Sequence, residues 1–269
     1  MKEEFLALVE KTLDDVLPKE GERPAELSEA MRYAVGTGGK RIRPLICLAS
    51  SVAVGGSAED ARYPAAAIEL LHNYTLVHDD LPAMDNDTER RGKPTVWAKF
   101  GEANAILVGD ALQALAFEAA ANAPRNVAGI IAALGAAGVG VVQGQVEDLK
   151  RESGTDGTFG GPAPLPMELV NFVYTHKTAD LFVAAAAMGA LAGGGDAASV
   201  EKLRTFALNL GLAFQYEDDL LDGDSPYSRE KTEALVRETT AASIAALAGL
   251  PGDTSFLKAL AEKLVGRSV

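Results

Sequence analysis

Two clusters of aspartates stand far apart in the sequence, and each follows an apolar segment with helical spacing. The first lies in LVHDDLPAMDND and the second in FQYEDDLLDGD. A carboxylate at the C-terminal end of a helix meets the negative end of the helix dipole, so it is unfavourable there unless a cation joins it. Oxygen ligands of this kind suit Mg²⁺, which keeps several waters and bridges to substrate phosphates. The pattern therefore predicts Mg²⁺ ligands among Asp79, Asp80, Asp85 and Asp87 in the first cluster and Asp218, Asp219 and Asp222 in the second.

The two clusters differ in spacing. Asp218 and Asp222 are four residues apart and share one helix face. Asp79 and Asp85 are six residues apart, about 240° on an ideal helix, so the first cluster requires a distorted helix end. Pro82 predicts that distortion, because proline lacks a helical N–H donor and disfavours helical backbone at the residue before it. The alternative is that each cluster is a solvated helix end, although two clusters after apolar helices weaken it.

Basic residues form two groups in a chain that has 25 Lys and Arg against 38 Asp and Glu, a net charge of −13. GGKRIRP contains Lys40, Arg41 and Arg43, and TERRGKP contains Arg90, Arg91 and Lys93. Gly38 and Gly39 let the backbone approach an anion closely. Lys40 and Arg43, at the start of a predicted helix, have the spacing to clamp one diphosphate. The alternative is that each group is a solvated charge run.

Helical periodicity dominates the chain, and no run alternates with period two. Breaks rich in glycine and proline divide it into about ten helices with short connections, among them breaks at 153–166 and 223–226. Linkers, low-complexity tracts and shifts in composition are missing from the sequence. We expect an all-α fold, a single large helical bundle with one domain over residues 1–269.

The composition excludes several other classes of protein. The acidic balance opposes nucleic-acid binding, which requires a basic surface. The most apolar stretches, 127–142 and 181–195, fall short of the about 20 residues of a membrane span and are predicted to be buried helices. The single cysteine, Cys47, lies in an apolar run, so the cytoplasm is the expected compartment. The start MKEEFLALVE has acidic residues where a signal peptide has basic ones.

Six motifs extend from Gly38 to Asp222: GGKRIRP, LLHNYTLVHDDLPAMDNDTERRGKPT, GDAL, GQVEDL, HKTADL and FQYEDDLLD. Their order and approximate spacing are similar to those of the trans-isoprenyl diphosphate synthases. The chain resembles this family, and the four residues between Asp80 and Asp85 resemble the bacterial farnesyl and plant-type geranylgeranyl forms of the first aspartate motif. The resemblance implies an isoprenoid-synthase bundle with a central apolar cavity and a homodimer.

The resemblance also implies a role for each matching residue. Three Mg²⁺ ions with bound diphosphate would be held by Asp79, Asp80, Asp85, Asp218, Asp219 and Asp222. The allylic diphosphate would contact Arg90, Lys177, Thr178 and Gln215, and isopentenyl diphosphate would contact Gly39, Lys40, Arg43, His72 and Arg91. Catalysis would depend on Asp79, Asp80, Asp85, Lys177 and Asp218. Without the motifs, the favoured interpretations would be a core histidine for His72, a buried hydrogen-bonding residue for Gln215 and a solvated side chain for Lys177.

The reaction of the family is a 1′–4 head-to-tail condensation. Pyrophosphate leaves the allylic substrate, the isopentenyl double bond attacks the resulting carbocation, and a proton is lost. Tyr74 and its neighbour Thr75 would set product length, because Tyr74 lies about 7.5 Å deeper than Asp79 along the helix. A bulky aromatic there resembles synthases that stop at the C15 product, farnesyl diphosphate; the alternative is that Tyr74 is ordinary helix packing.

Three other functions stay open at the level of the sequence. One is a geranylgeranyl diphosphate synthase, and another is a noncatalytic partner subunit of a synthase, against which the intact aspartate motifs argue. The third is a class I terpene cyclase, which would lack the GGKRIRP clamp.

The chain departs from the family pattern after Asp222. Relatives carry a longer connection there, with lysines that assist the allylic diphosphate. In this chain GDSPYSREKTEAL enters the next helix almost at once, and neither Arg229 nor Lys231 matches those positions. Either the chain compensates for a short connection or the sequence omits a loop, and the mass of the intact protein, compared with 28.0 kDa, distinguishes the two.

Overall fold

The computed structural model describes residues 1–153, 166–223 and 225–265. Its α-helices are α1 (Lys2–Val16), α2 (Ala25–Gly36), α3 (Ile42–Ala53), α4 (Arg62–Asp79), α5 (Val96–Phe100), α6 (Glu102–Ala121), α7 (Val127–Ser153), α8 (Pro166–Val173), α9 (Asp180–Ala192), α10 (Ala197–Asp222), α11 (Arg229–Ala246) and α12 (Ser255–Val265). A 3₁₀ turn at Glu59–Ala61, a π-helical segment at Tyr174–Ala179 and the strands β1 (Glu89–Arg90) and β2 (Lys93–Pro94) complete the elements.

The all-α expectation is confirmed, with one short exception. β1 and β2 form an antiparallel hairpin in which Glu89 pairs with Pro94 and Arg90 pairs with Lys93. Sequence alternation did not predict this hairpin, because two residues per strand are too few to show a period of two. The break expected at 153–166 falls mostly on residues outside the described ranges, while the others separate helices.

Helix α9 lies at the centre of the bundle, with α3, α7 and α10 packed around it. Small side chains permit the close approach. A Cβ on Gly189 of α9 would overlap the Cys47 carbonyl of α3, and a Cβ on Gly211 of α10 would lie 2.7 Å from the Cα of Ala179. Cys47 is fully buried there, as the sequence predicted. The alanine-rich and glycine-rich stretches of the sequence are therefore a means of packing helices backbone to backbone.

Helices α8 and α9 are joined without a break by the π-helical segment, Tyr174–Ala179. A π turn inserts one extra residue into a helix and is common at functional sites. Gly144 of α7 lies against this segment, where an added Cβ would be 2.9 Å from the Cα of Lys177. The packing of α7 therefore restricts the position of the segment.

Helix α7 is longer than the apolar stretch that the sequence indicated. Within it, Val127–Leu149 is long and apolar enough to cross a membrane by length and composition alone. The expectation that this stretch is too short was therefore wrong. Since a core helix passes the same test, and α7 packs along α9, length alone is weak evidence for a span.

The main apolar core draws on the described α-helices other than α8, and the rings of Phe5 in α1 and Phe256 in α12 lie 5.3 Å apart. A smaller cluster joins α8, α10 and α11 around Tyr174, Tyr216 and Val236. The single-domain boundary, 1–269, stays a prediction.

Candidate active site

The first aspartate cluster lies where α4 ends and the chain folds back on itself. Asp79 is the last residue of α4, and the backbone N–H of Asp85 donates to the Asp79 carbonyl at 2.9 Å. The N–H of Leu81 donates to His78, three residues earlier, so the last turn is tighter than an α-helix. The helix end is distorted around Pro82 as expected, and this brings Asp79 and Asp85 together.

The carboxylates of this cluster raise one another's pKa. Burial, followed by the charge of Asp85, raises the pKa of Asp79 to about 7, against the opposing effect of Lys177. Burial and the neighbouring aspartates also raise the pKa values of Asp80 and Asp85. Burial and mutual repulsion both disfavour the charged form of these carboxylates, and a bound cation would stabilise that form.

Arg90 from the hairpin is paired with the one fully buried aspartate of this cluster. Asp80 is 3% exposed, and its carboxylate accepts hydrogen bonds from Arg90 Nε at 2.7 Å and Nη2 at 2.6 Å. Asp80 therefore positions Arg90 and has less freedom than Asp79 or Asp85 to bind a metal ion.

Lys177 faces the first cluster from the π-helical segment. Its Nζ donates to Asp148 of α7 at 2.5 Å. Burial opposes the charge of Lys177, but Asp148, Asp79 and Asp85 outweigh it and raise the pKa of the ammonium group. Lys177 is therefore a fixed cation between α7 and the end of α4.

The second cluster is connected to the same π-helical segment. Thr178 donates to Gln215 Oε1 at 2.9 Å, and Gln215 Nε2 donates to Asp219 at 2.9 Å. Asp219 is buried and also accepts from the Tyr174 hydroxyl. Asp218 is half-buried and Asp222 is exposed at the end of α10. One segment thus carries Lys177, which faces the first cluster, and Thr178, which is bonded to the helix of the second.

The basic motif and His72 of α4 lie together and form a cationic pocket. Arg43 Nη1 lies 3.1 Å from His72 Nε2, and the Arg43 guanidinium lies 5.0 Å from the centre of the Phe182 ring. Arg91 donates to the Gly38 carbonyl, and a Cβ on Gly39 would lie 2.8 Å from the Arg91 guanidinium. Burial and the nearby arginines lower the pKa of His72 well below its usual value, so His72 is a neutral member of a cationic pocket. Lys40 is exposed at its edge.

An apolar cavity of about 290 Å³ opens between α4 and α7. Asp79 lies in its wall, and so do Tyr74 and Thr75, the residues expected to set chain length. Tyr74 is 9% exposed, and its ring packs edge-on against His78. The cavity therefore joins the aspartates to the predicted chain-length position.

Oxygen ligands fit Mg²⁺, although the described residues do not form a closed metal cage by themselves. Among residues 1–153, 166–223 and 225–265, no three carboxylate, histidine or cysteine side chains converge to hold an ion. Mg²⁺ takes one or two protein carboxylates and completes its shell with water and substrate phosphate, so a preformed cage is not required. The residues that would hold it are Asp79 and Asp85 of the first cluster and Asp218 of the second.

Three residues of the site received no role from the sequence. Asp148 and Gln145 belong to the quoted motif GQVEDL, whose spacing places both on the inner face of α7. Neither amide atom of Gln145 has a hydrogen-bond partner among the described residues, although the residue is 7% exposed and lines the cavity. The third residue is Glu69, and its presence as an acid in an otherwise apolar helix was the sequence feature that could have identified it.

The geometry agrees with what comparisons with known proteins find. Residues 24–255 match the family described as polyprenyl synthetase, and the chain belongs to that family. The chain is 44% identical over 222 residues to the chloroplastic geranylgeranyl pyrophosphate synthase of Capsicum annuum, a match that covers 80% of this chain and 57% of the relative. It is 43% identical over 222 residues to the geranylgeranyl diphosphate synthase of Cyanophora paradoxa, covering 80% of this chain and 71% of the relative. The chain thus spans little more than half of the pepper protein.

Two solved structures resemble the whole fold. An FPP/GFPP synthase from Zymomonas mobilis has 34% identity and a TM-score of 0.86, with 98% of this chain and 100% of that chain covered. A geranylgeranyl pyrophosphate synthetase from Pyrococcus horikoshii has 29% identity and a TM-score of 0.88, with 99% and 97% covered. The fold is therefore that of the isoprenoid synthases.

Proposed function

We propose that this chain is a Mg²⁺-dependent trans-prenyltransferase that joins isopentenyl diphosphate to an allylic diphosphate in a 1′–4 head-to-tail condensation. One observation carries the proposal. Asp79 faces the cation of Lys177 and also forms part of the wall of an apolar cavity. A diphosphate bound at Asp79 would thus direct its hydrocarbon tail into that cavity.

The chemistry follows from the placement of the charges. Mg²⁺, when bound, neutralises the charge that develops on the departing pyrophosphate. Arg90 and Lys177 donate hydrogen bonds to its oxygens, and Asp80 and Asp148 hold the two cations in position. Apolar cavity walls exclude water from the allylic carbocation, which water would otherwise quench. The second substrate binds at Arg43, His72 and Arg91, and His72 lies about two turns before Asp79 on the same face of α4.

A single incubation tests this function. Purified protein is mixed with isopentenyl diphosphate, Mg²⁺ and dimethylallyl, geranyl or farnesyl diphosphate, and the products are separated by mass. Elongated prenyl diphosphates that disappear when EDTA removes the metal support the proposal. Cyclised hydrocarbon would indicate a cyclase, and no turnover would indicate a partner subunit.

For the product, we infer geranylgeranyl diphosphate rather than the farnesyl diphosphate expected from Tyr74. The pepper and Cyanophora relatives are named for the C20 product, and neither name supports a farnesyl product. Tyr74 lines the wall of the cavity and packs edge-on against His78. Mass analysis of the longest major product distinguishes a C15 from a C20 synthase.

A homodimer is part of the same proposal. Four large apolar side chains are exposed on neighbouring helices: Ile106 and Leu107 on α6, and Val139 and Val142 on α7. Val139 and Val142 also line a groove with Phe117, where α6 and α7 meet. An apolar patch of this kind favours association of two copies. Light scattering of the purified chain measures the oligomeric state.

A further inference from the structure

Arg41 lies between two predicted ligands of isopentenyl diphosphate, Lys40 and Arg43, yet it is turned inward. The residue is 5% exposed, and its backbone is left-handed, with φ at 49°. A residue other than glycine adopts this conformation at a cost and keeps it only where the surroundings enforce it. The contacts of its side chain identify what enforces it.

Three helices hold the Arg41 guanidinium. Nε donates to Glu10 of α1 at 2.7 Å, and Nη1 donates to Glu69 of α4 at 2.8 Å. Nη2 donates to the Val35 carbonyl of α2 at 2.9 Å. A guanidinium has donors in a fixed fork and reaches three acceptors at once, which the single ammonium group of lysine does not reproduce. Arg41 thus ties the start of α3 to three other helices.

The two carboxylates also offset positive charge in the pocket. Burial lowers the pKa of Arg43 to about 10; the charge of Glu69 opposes this change and that of Arg91 adds to it. Arg43 and Arg91 therefore repel each other. Since Glu10 and Glu69 neutralise the charge of Arg41, Arg41 adds little to the repulsion between Arg43 and Arg91, the arginines that face the ligand.

We propose that Arg41 is a positioning residue of the isopentenyl diphosphate pocket, and that α1 completes the pocket by bonding Arg41 through Glu10. This inference rests on the proposed function, because it takes Lys40, Arg43, His72 and Arg91 as the ligands of that substrate. Helix α1 precedes residues 24–255, so the match to the family model does not give it a role. The structure gives it one through Glu10.

The test compares two carboxylates of α1 that each bond an arginine. Glu10→Gln removes the charge that holds Arg41. Asp14→Asn removes a matched charge that bonds Arg32 at 2.6 Å, away from the pocket. The carboxylates are similarly exposed, at 55% for Glu10 and 65% for Asp14, so both variants are expected to fold. The full chain is used throughout.

Two quantities are measured for each variant: the Kd of isopentenyl diphosphate by calorimetry without turnover, and the KM of each substrate with kcat. We expect Glu10→Gln to weaken isopentenyl diphosphate binding about tenfold, in Kd and KM alike, because a charge-assisted hydrogen bond to Arg41 becomes a weaker neutral one. The KM of the allylic substrate and kcat should change by less than about twofold. Asp14→Asn should leave all of these values unchanged. Arg41→Lys, which keeps the charge but not the fork, should weaken the same Kd at least as much.

Equal Kd values for Glu10→Gln, Asp14→Asn and the wild type would overturn the inference. An equal rise in both KM values would also overturn it, because that is the effect of a general loss of structure. A wild-type chain that binds isopentenyl diphosphate but forms no product contradicts the proposed function alone, since the Kd comparison does not depend on turnover.

Discussion

At the scale of single residues, the site depends on charges that other charges hold in place. Asp80 orients Arg90 and Asp148 orients Lys177, so each cation faces the site in a fixed position before substrate arrives. Such preorganisation lowers the reorganisation required when pyrophosphate departs. Gln145 is the opposite case, a buried amide without a hydrogen-bond partner in the described part of the chain.

Replacing Gln145 should separate stability from activity. An unpaired buried amide costs about 1–3 kcal/mol, so Gln145→Met, which keeps the length of the side chain without its amide, is expected to raise the free energy of unfolding by up to that amount. We expect kcat to fall, because a polar group facing the cavity next to Asp79 is lost. Denaturant titration and steady-state kinetics measure the two effects. A variant that loses stability while kcat is unchanged would show that Gln145 is an ordinary structural residue.

Tyr74 tests the control of product length. Tyr74→Ala removes the ring that borders the cavity beside Thr75, so products longer than those of the wild type are expected. The measurement is the chain-length distribution by mass spectrometry at equal amounts of folded protein. An unchanged distribution would assign Tyr74 to packing and place the floor of the cavity elsewhere.

At the scale of elements, the π-helical segment is the point at which the two halves of the site meet. It presents Lys177 toward α4 and Thr178 toward α10. A π turn contains one extra residue, which corresponds to a rotation of about 100° around the helix axis, so a regular α-helix would not present both side chains in these directions. Gly144 of α7 contacts its backbone. The position of the segment is therefore decided by helix packing.

Substitutions at two glycines of α7 test whether the packing of this helix fixes the position of the π-helical segment. Gly144→Ala places a Cβ 3.0 Å from the carbonyl carbon of His176, so the segment must shift, and we expect kcat to fall by about 10²-fold. Gly135→Ala places a Cβ 3.8 Å from the Phe117 ring, which is ordinary contact. Alanine favours helix over glycine by up to about 1 kcal/mol, so Gly135→Ala should keep its activity and gain stability. Comparable kcat values for the two variants would contradict the role of Gly144.

At the scale of the whole molecule, charge and apolar surface are divided between different faces. The clusters of charged residues lie at helix ends, the core fills the space between them, and the exposed apolar patch lies on α6 and α7. Helix α7 contributes to all three, through Asp148, Ala137 and Val139. A substitution in the apolar patch that moves α7 is therefore also expected to alter the cavity that α7 lines.

A charge in the patch tests the proposed dimer. Val139 is 60% exposed, and Val139→Glu should shift the chain from dimer to monomer, because a buried unpaired carboxylate opposes association. Leu221→Glu, at a 50% exposed apolar position outside the patch, is the control and should leave the mass unchanged. Light scattering at several concentrations measures both. A wild-type chain that is monomeric would contradict the proposal directly.

The sequence determined the helices, the two aspartate motifs and the distorted end of α4, because each depends on residues within a few positions of one another. Pro82, the four-residue interval from Asp218 to Asp222 and the GGKRIRP motif are local signals of this kind. Only the tertiary structure decided that Lys177 bonds Asp148, that Arg41 turns inward to Glu10 and Glu69, and that a π turn separates α8 from α9. These features join residues that are up to 31 positions apart or arise where two helices touch, as for Arg41 and Glu10. Such contacts depend on the packing of the whole bundle, and the spacing of residues along one helix does not predict them.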